Sequence, residues 1–497
     1  MKKRITLLNI ISNIFLQFIT ILNGFVIPKL ILTYFGSNIN GLVSSLNQFL
    51  SYISLIEGGV TSVVAANLYK PLISKDYKTI SSIFNTSADF YKKIGIIYIF
   101  YSMLLGCIYP IISNTAYSFE YIFFLTLILS IKLLVQYMFS LTYKTLLNAD
   151  KKGYILSISQ SLLLIFNMAF ACISVKLFPS IHVIYLLTGI LYILQPVVYG
   201  LYIKKHYNIK KDVSKDFKLI SQRWNGFAIN IAAFIHFSTD ISILTIFTNL
   251  VTVSVYSVYT LVTNGLRQII IAISNAIVPT IGQSYAGGNN DEINLKMDLY
   301  EFIIFSLVFF FFTVAALLLT PFVMIYTNGI TDVNYFHPVF GILILLSEML
   351  YIIKFPHLNL AYSANKFKEL TIPCFIEAGL NIIISLVLVR RLGLVGIAIG
   401  TLVAMAYRLF FQISFTKKIV DNRKSINFYK KLVIYLIAVG IGLIICYIFI
   451  PETNYNFIDF ILHGIIYSTL FGTILLITSI LFYKREVKYI IKYIKHK

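Results

Sequence analysis

Nine charged side chains fall inside long apolar stretches of this 497-residue chain: the basic Lys29, Lys132, Arg267, Lys354 and Arg408, and the acidic Glu57, Asp240, Glu348 and Glu377. A charge on a lone helix at the bilayer centre costs about 2.5–3.5 kcal/mol on insertion scales, so such groups face a wet cavity or one another. Arginine offers an anion a bidentate fork, and lysine a point charge. A carboxylate in the same setting can steady a cation or take up an ion. Glu57 poses the question most sharply. It lies in "SLIEGGVTSVVAANLYKPL", beside Gly58 and Gly59, and no other charge occurs between Ile39 and Lys70. Plainer readings stay open. Lys29, Lys354 and Arg408 could snorkel from helix ends, Glu57 could pair with a neighbouring helix, and the glycines could mark close helix packing. Glu348 and Lys354 are six apart, a poor spacing for same-face partners.

Other chemistry has little support. Cys107, Cys172, Cys374 and Cys446 lie far apart, with no C-x-x-C or Cys/His cluster, and read as small core residues rather than metal ligands or disulfides. His236 and His357 could titrate, or simply bridge helices. No Walker A pattern, Gly-rich nucleotide loop or H-E-x-x-H occurs, so no cofactor, metal or ATP-driven step is expected.

The elements that must position these charges are membrane helices. Apolar residues make up 58% of the chain, charged residues 12%, and the mean hydropathy is +0.83; soluble domains hold about 45–50% and 25%. Ile94–Phe119, Tyr154–Val175, Leu177–Ile203, Gln268–Asn290 and Phe302–Thr331 contain no Lys, Arg, Asp or Glu, and each exceeds the ~18 residues of a spanning helix. The chain is an all-α polytopic membrane protein. Cutting at polar breaks gives about fourteen spans: 6–35, 39–67, 89–113, 121–147, 154–177, 183–203, 224–248, 252–283, 297–327, 336–361, 369–389, 394–416, 431–450 and 458–483. The first apolar run outlasts a signal peptide and lacks a small-x-small cleavage site, so it reads as a retained helix.

Basic loops stay cytoplasmic. With the N-terminus inside, cytoplasmic segments and the helix ends beside them hold 33 Lys and Arg, the opposite side only Lys176, Arg390 and Arg391, and five remain deeper within spans. Both termini are then expected in the cytoplasm. The same placement explains the formal charge of +21: juxtamembrane Lys and Arg meet anionic membrane lipids, and no nucleic-acid partner is needed. The tail Tyr483–Lys497 reads as an amphipathic helix on the inner surface.

A repeat underlies the pattern. "LNADKKGY" after the fourth span matches "YSANKFKE" after the tenth, and "ISKDYKTI" after the second matches "GGNNDEIN" after the eighth, at shifts of 213 to 215. Asn167 and Asn381 differ by 214. Six spans fit that interval, and an even number preserves orientation, which is the parallel-repeat class of transporter. The expected organisation is a six-helix lobe over 1–205, a basic linker over 206–223, a second lobe over 224–416, helices 13 and 14 over 430–483, and a basic tail over 484–497.

The run "VIPKLILTYFGSNINGLVSSLNQFLSYISLIEGGVTSVVAANLYKPL", with Pro28 in the first helix, a Gly turn and a Tyr-Lys exit, resembles the opening of Wzx-type polysaccharide flippases. "FSTDISILTIFTNLVTVSVYSVY" and "NAIVPTIGQSYAGGN" resemble that family's seventh and eighth helices. Such proteins belong to the multidrug/oligosaccharidyl-lipid/polysaccharide exporter superfamily. The resemblance implies two six-helix lobes in a V around a cavity lined by helices 1, 2, 7 and 8. It implies a cargo of polyprenyl-pyrophosphate-linked oligosaccharide, supplied and consumed by glycosyltransferases and a polymerase, in a bacterial plasma membrane. On that basis Arg267, Lys29, Lys132 and Lys354 are the expected cargo contacts. Glu57, Asp240, Glu348 and Glu377 would pair with them or take up a coupling H+ or Na+. A drug/cation antiporter shares the fold, but its cavity should be acidic. A membrane polymerase would carry a large outer loop, whereas the longest here, about 328–337, offers only Asp332 and His337.

Overall fold

The computed structural model describes residues 2–57, 59–113, 115–210, 212–217, 227–421, 423–451 and 454–495. Among these the chain is all helical and forms two compact units, Met1–Ser257 and Val258–Lys497. The first unit holds α1 (Lys2–Ser51), α2 (Ser54–Glu57), α3 (Val60–Ser74), α4 (Tyr77–Ser113), α5 (Phe119–Val135), α6 (Leu141–Ala149), α7 (Gly153–Leu177), α8 (Ile181–Leu191), α9 (Leu194–His206) and α10 (Phe227–Phe247). The helix α11 (Leu250–Ala286) begins in it and continues into the second. There follow α12 (Asn290–Tyr326), α13 (Pro338–Ile353), α14 (Phe355–Ser363), α15 (Phe367–Leu392), α16 (Leu394–Thr416), α17 (Ser425–Phe449), α18 (Phe457–Phe482) and α19 (Lys484–Lys495).

Twelve described helices are long and apolar enough to cross a membrane. The first, Leu7–Glu57, contains two of the expected spans, because Gly36 (φ 79°, ψ 178°) breaks the helix in a conformation open to glycine. The expected seventh span falls on α10, where Ser238–Phe247 is a shorter apolar segment. The second span is interrupted again around Glu57, where Gly59 turns left-handed at φ 79° before α3 starts.

Inward faces carry the core, with Leu42, Leu46, Leu50, Val60 and Val64 buried together in the first unit. Outward faces carry Phe100, Ile111, Tyr447 and Phe449 exposed, as befits a surface solvated by lipid rather than water.

The repeat is visible in backbone hydrogen bonds. The fourth span ends through Lys151 (φ 60°), with Lys152 N–H donating to Leu147 O at 2.9 Å and Lys151 N–H to Asn148 O at 3.1 Å. The tenth ends through Asn365 (φ 55°), with Lys366 N–H donating to Ala361 O and Asn365 N–H to Tyr362 O, both at 3.0 Å. This is the same left-handed closure, shifted by 214 residues. The following helices repeat too: Asp76 caps α4 and Asn289 caps α12, 213 residues on. Both spans are also interrupted at one place, by a π turn at Gln136–Ser140 and by the break between α13 and α14 at Lys354.

Candidate functional site

In the second unit the structure gathers four of the eight expected site residues, plus one more. Pro356 cannot donate to the turn before it, and the helix breaks at Lys354, between α13 and α14. Lys354 Nζ lies 3.5 Å from Glu377 Oε1 of α15, and Arg408 Nε of α16 lies 3.3 Å from Glu377 Oε2. The ammonium sits 4.5 Å from the Tyr351 ring centre, and the Arg408 guanidinium 5.7 Å from that of Phe411, both cation–π distances. Lys354 and Arg408 are each only 2% exposed. They do not snorkel; they share one carboxylate in the interior, and Arg408 Nη1 has no hydrogen-bond partner among the described residues.

Arg267 of α11 donates through Nη1 to Glu348 Oε1 of α13 at 2.7 Å and through Nη2 to Asn264 Oδ1, one turn back. Glu348 Oε2 is left without a hydrogen-bond partner among the described residues. Glu348 and Lys354 thus take separate partners. The cluster holds three basic and two acidic groups, and a set so weighted can receive an anion.

In the first unit the four expected charges lie on four different helices. Glu57, at the end of the short α2, accepts from the Thr61 hydroxyl and from Tyr137. Tyr91 stands 2.8 Å behind Thr61 Oγ1. No described basic side chain forms an ion pair with Glu57, so it faces hydroxyl donors alone. Asp240 of α10, buried, accepts from the Tyr256 hydroxyl at 2.9 Å. Lys29 is half-buried on α1. Lys132 rests 5.1 Å from the ring centre of Tyr192.

Two features escape the sequence reading. Arg408 is not among the expected cargo contacts, although four Leu, Phe or Met neighbours in "AMAYRLFF" make a helix-end position doubtful. The second is the fully buried Glu301 of α12. Lys431 Nζ reaches its Oε2 at 2.8 Å, Arg423 bonds its Oε1, and His357 Nε2 lies 3.1 Å away. Asp298 takes Lys431 at 3.1 Å and Arg423 at 3.3 Å. Burial disfavours the charged guanidinium, yet Glu301 and Asp298 hold Arg423 even above its usual value. The i,i+3 spacing of Asp298 and Glu301 on one helix face was the available signal. This network ties α17 and the turn before it to α12.

No protein-family model matches the sequence, and no curated protein sequence matches it. Solved structures do. The chain is similar to the lipid II flippase MurJ in an inward closed conformation, with a TM-score of 0.69 and 16% identity over 94% of this chain and 98% of that one. It is also similar to the MATE multidrug transporter DinF-BH (TM-score 0.63, 14% identity, 84% and 95% covered). An inward-facing multidrug resistance transporter of the MATE family in the MOP superfamily matches at 0.60, with 13% identity and 81% and 95% covered. At such identity the likeness is one of fold: this is the helical architecture of flippases and multidrug transporters.

Proposed function

We propose that the protein is a flippase that moves polyprenyl-pyrophosphate-linked oligosaccharide units from the cytoplasmic to the outer leaflet of a bacterial plasma membrane by alternating access. The observation that carries this reading is the buried excess of basic over acidic groups around Glu377, where Lys354 and Arg408 share one carboxylate. An organic cation would gain nothing from such a cluster, whereas a pyrophosphate finds forks and point charges suited to it. Arg267 and Lys354 are the contacts offered in the second unit, Lys29 and Lys132 those in the first. Glu348 and Glu377 hold the cations while no anion is bound. An inside-negative potential favours outward passage of an anionic headgroup by about 2.3 kcal/mol per charge per 100 mV.

Glu57 and Asp240 are assigned to coupling through H+ or Na+. Glu57 with its hydroxyl donors also favours a second reading, a drug/cation antiporter of the same fold, since a lone intramembrane carboxylate is suited to a cation.

Transport of a labelled polyprenyl-pyrophosphate oligosaccharide in proteoliposomes separates the two. Protein-dependent flipping that falls at least tenfold in Arg267→Ala is the expected result. Efflux of an organic cation without any glycan flipping is the result that replaces the flippase by the antiporter.

A further inference from the structure

The fourth span carries a polar lane that extends beyond the cargo contacts already given. Lys132, Gln136, Ser140 and Lys144 recur at every fourth residue of α5–α6. At about 100° per residue, a regular α-helix would leave Lys132 and Lys144 ~120° apart. The π turn at Gln136–Ser140, in which Leu141 N–H bonds to Gln136 O five residues back, inserts one residue and takes up ~100° of that offset. The two lysines therefore share a face.

Lys144 of α6 is half-buried. Neither lysine forms an ion pair with a described residue, and Lys132 has only the Tyr192 ring. The Ser140 hydroxyl is fully buried without a hydrogen-bond partner among the described residues. Beside the lane, Gln195 of α9 donates to Gln160 Oε1 of α7 at 2.6 Å. The other half of the repeat shows what is missing. Ser140 corresponds to Lys354 at the shift of 214, and there the cation has Glu377. In the first unit two cations flank the same interruption and no described carboxylate answers them. Like charges inside a span call for an anion between them.

We propose that Lys132 and Lys144 form a phosphate-binding station in the first unit, in which the headgroup phosphate of a lipid sits between the two ammoniums and takes further hydrogen bonds from Gln136 and Ser140. The inference rests on the flippase reading, which already gives Lys132 to the anion, and supplies its partner. The phosphate is that of the lipid-linked diphosphate or of an anionic bilayer phospholipid.

Equilibrium binding of radiolabelled farnesyl diphosphate to the full chain in phosphatidylcholine nanodiscs tests the station, with melting temperature as the control for folding. Lys144→Gln is expected to weaken binding about tenfold, Lys144→Arg to keep it within about twofold, and Gln136→Leu to weaken it about threefold. Adding Lys132→Gln to Lys144→Gln should cost much less than Lys132→Gln alone, because both hold one anion. If phosphatidylglycerol in the disc displaces the probe from wild type but not from Lys144→Gln, the bilayer supplies the phosphate and the station stands. Wild-type binding in both Lys144→Gln and Gln136→Leu, or fully multiplicative lysine effects, would overturn it. Arg267→Ala measured alongside keeps the readings apart: binding lost there and unchanged in the Lys144 variants sinks the station and spares the flippase.

Discussion

Glu377 divides its two oxygens between Lys354 and Arg408, so its charge is the keystone of the buried cluster. Removing one member of a buried ion pair leaves an uncompensated charge and costs about 3–5 kcal/mol. Glu377→Gln is expected to lower the melting temperature of the purified protein sharply, and Lys354→Met in the same background to recover part of the loss. A double-mutant cycle on melting reads the coupling; additive effects would show that Lys354 does not pair with Glu377. Glu57 should behave in the opposite way. The amide of Glu57→Gln still accepts from Thr61 and Tyr137, so folding should change by less than about 1 kcal/mol. In proteoliposomes, however, an imposed H+ or Na+ gradient should no longer alter the flipping rate. Gradient dependence that survives Glu57→Gln moves coupling to another residue.

At the scale of elements, close helix contacts depend on absent side chains. A Cβ on Gly396 of α16 would come within 2.7 Å of the Leu388 backbone of α15, and one on Gly400 would strike Ser385. In the first unit a Cβ on Gly41 would run into the Leu250 carbonyl. Gly400→Val and Gly41→Ala should each cost about 1–3 kcal/mol by overpacking, whereas Gly440→Ala, with open space at its Cα, should be neutral in the same melting experiment. Helix starts have their own device. Asp76 accepts from the Thr79 hydroxyl at 2.6 Å and from its N–H at 3.1 Å, and these bonds hold its carboxyl below the usual range. A depressed carboxylate stabilises above its unfolded pKa, and that support is lost as the pH falls through the folded value. Asp76→Asn should therefore flatten the acid side of the stability profile.

For the whole molecule, the distribution of Lys and Arg sets an expectation that fusion reporters can check. Alkaline phosphatase fused within 328–337 should be active, and fusions after Asp150, after Lys366 or at the C-terminus inactive. The reverse pattern would invert the protein and reassign every basic loop. The same experiment bears on the amphipathic α19, whose preceding Tyr483 is buried against Phe302 and stacked on Tyr435. That anchorage places the basic helix beside the same end of the second unit as the Glu301 network.

The sequence by itself determined the class of molecule and where its long apolar helices run, because hydrocarbon thickness imposes length and apolarity on each helix separately. It also revealed the repeat, since turns such as Leu147–Lys152 and Ala361–Lys366 use local hydrogen bonds that any copy must make again. Which charges meet was decided only by tertiary structure. Glu348 finds Arg267 on another helix 81 residues away, and Glu377 joins the break between α13 and α14 to α16 through packing that no spacing rule encodes. Lys144, inside the expected fourth span but not among its singled-out charges, comes onto the face of Lys132 because a π turn, invisible to a 3.6-residue period, shifts the helix by about one residue. Local patterns follow from the chain; partners across helices follow from how the helices close on one another.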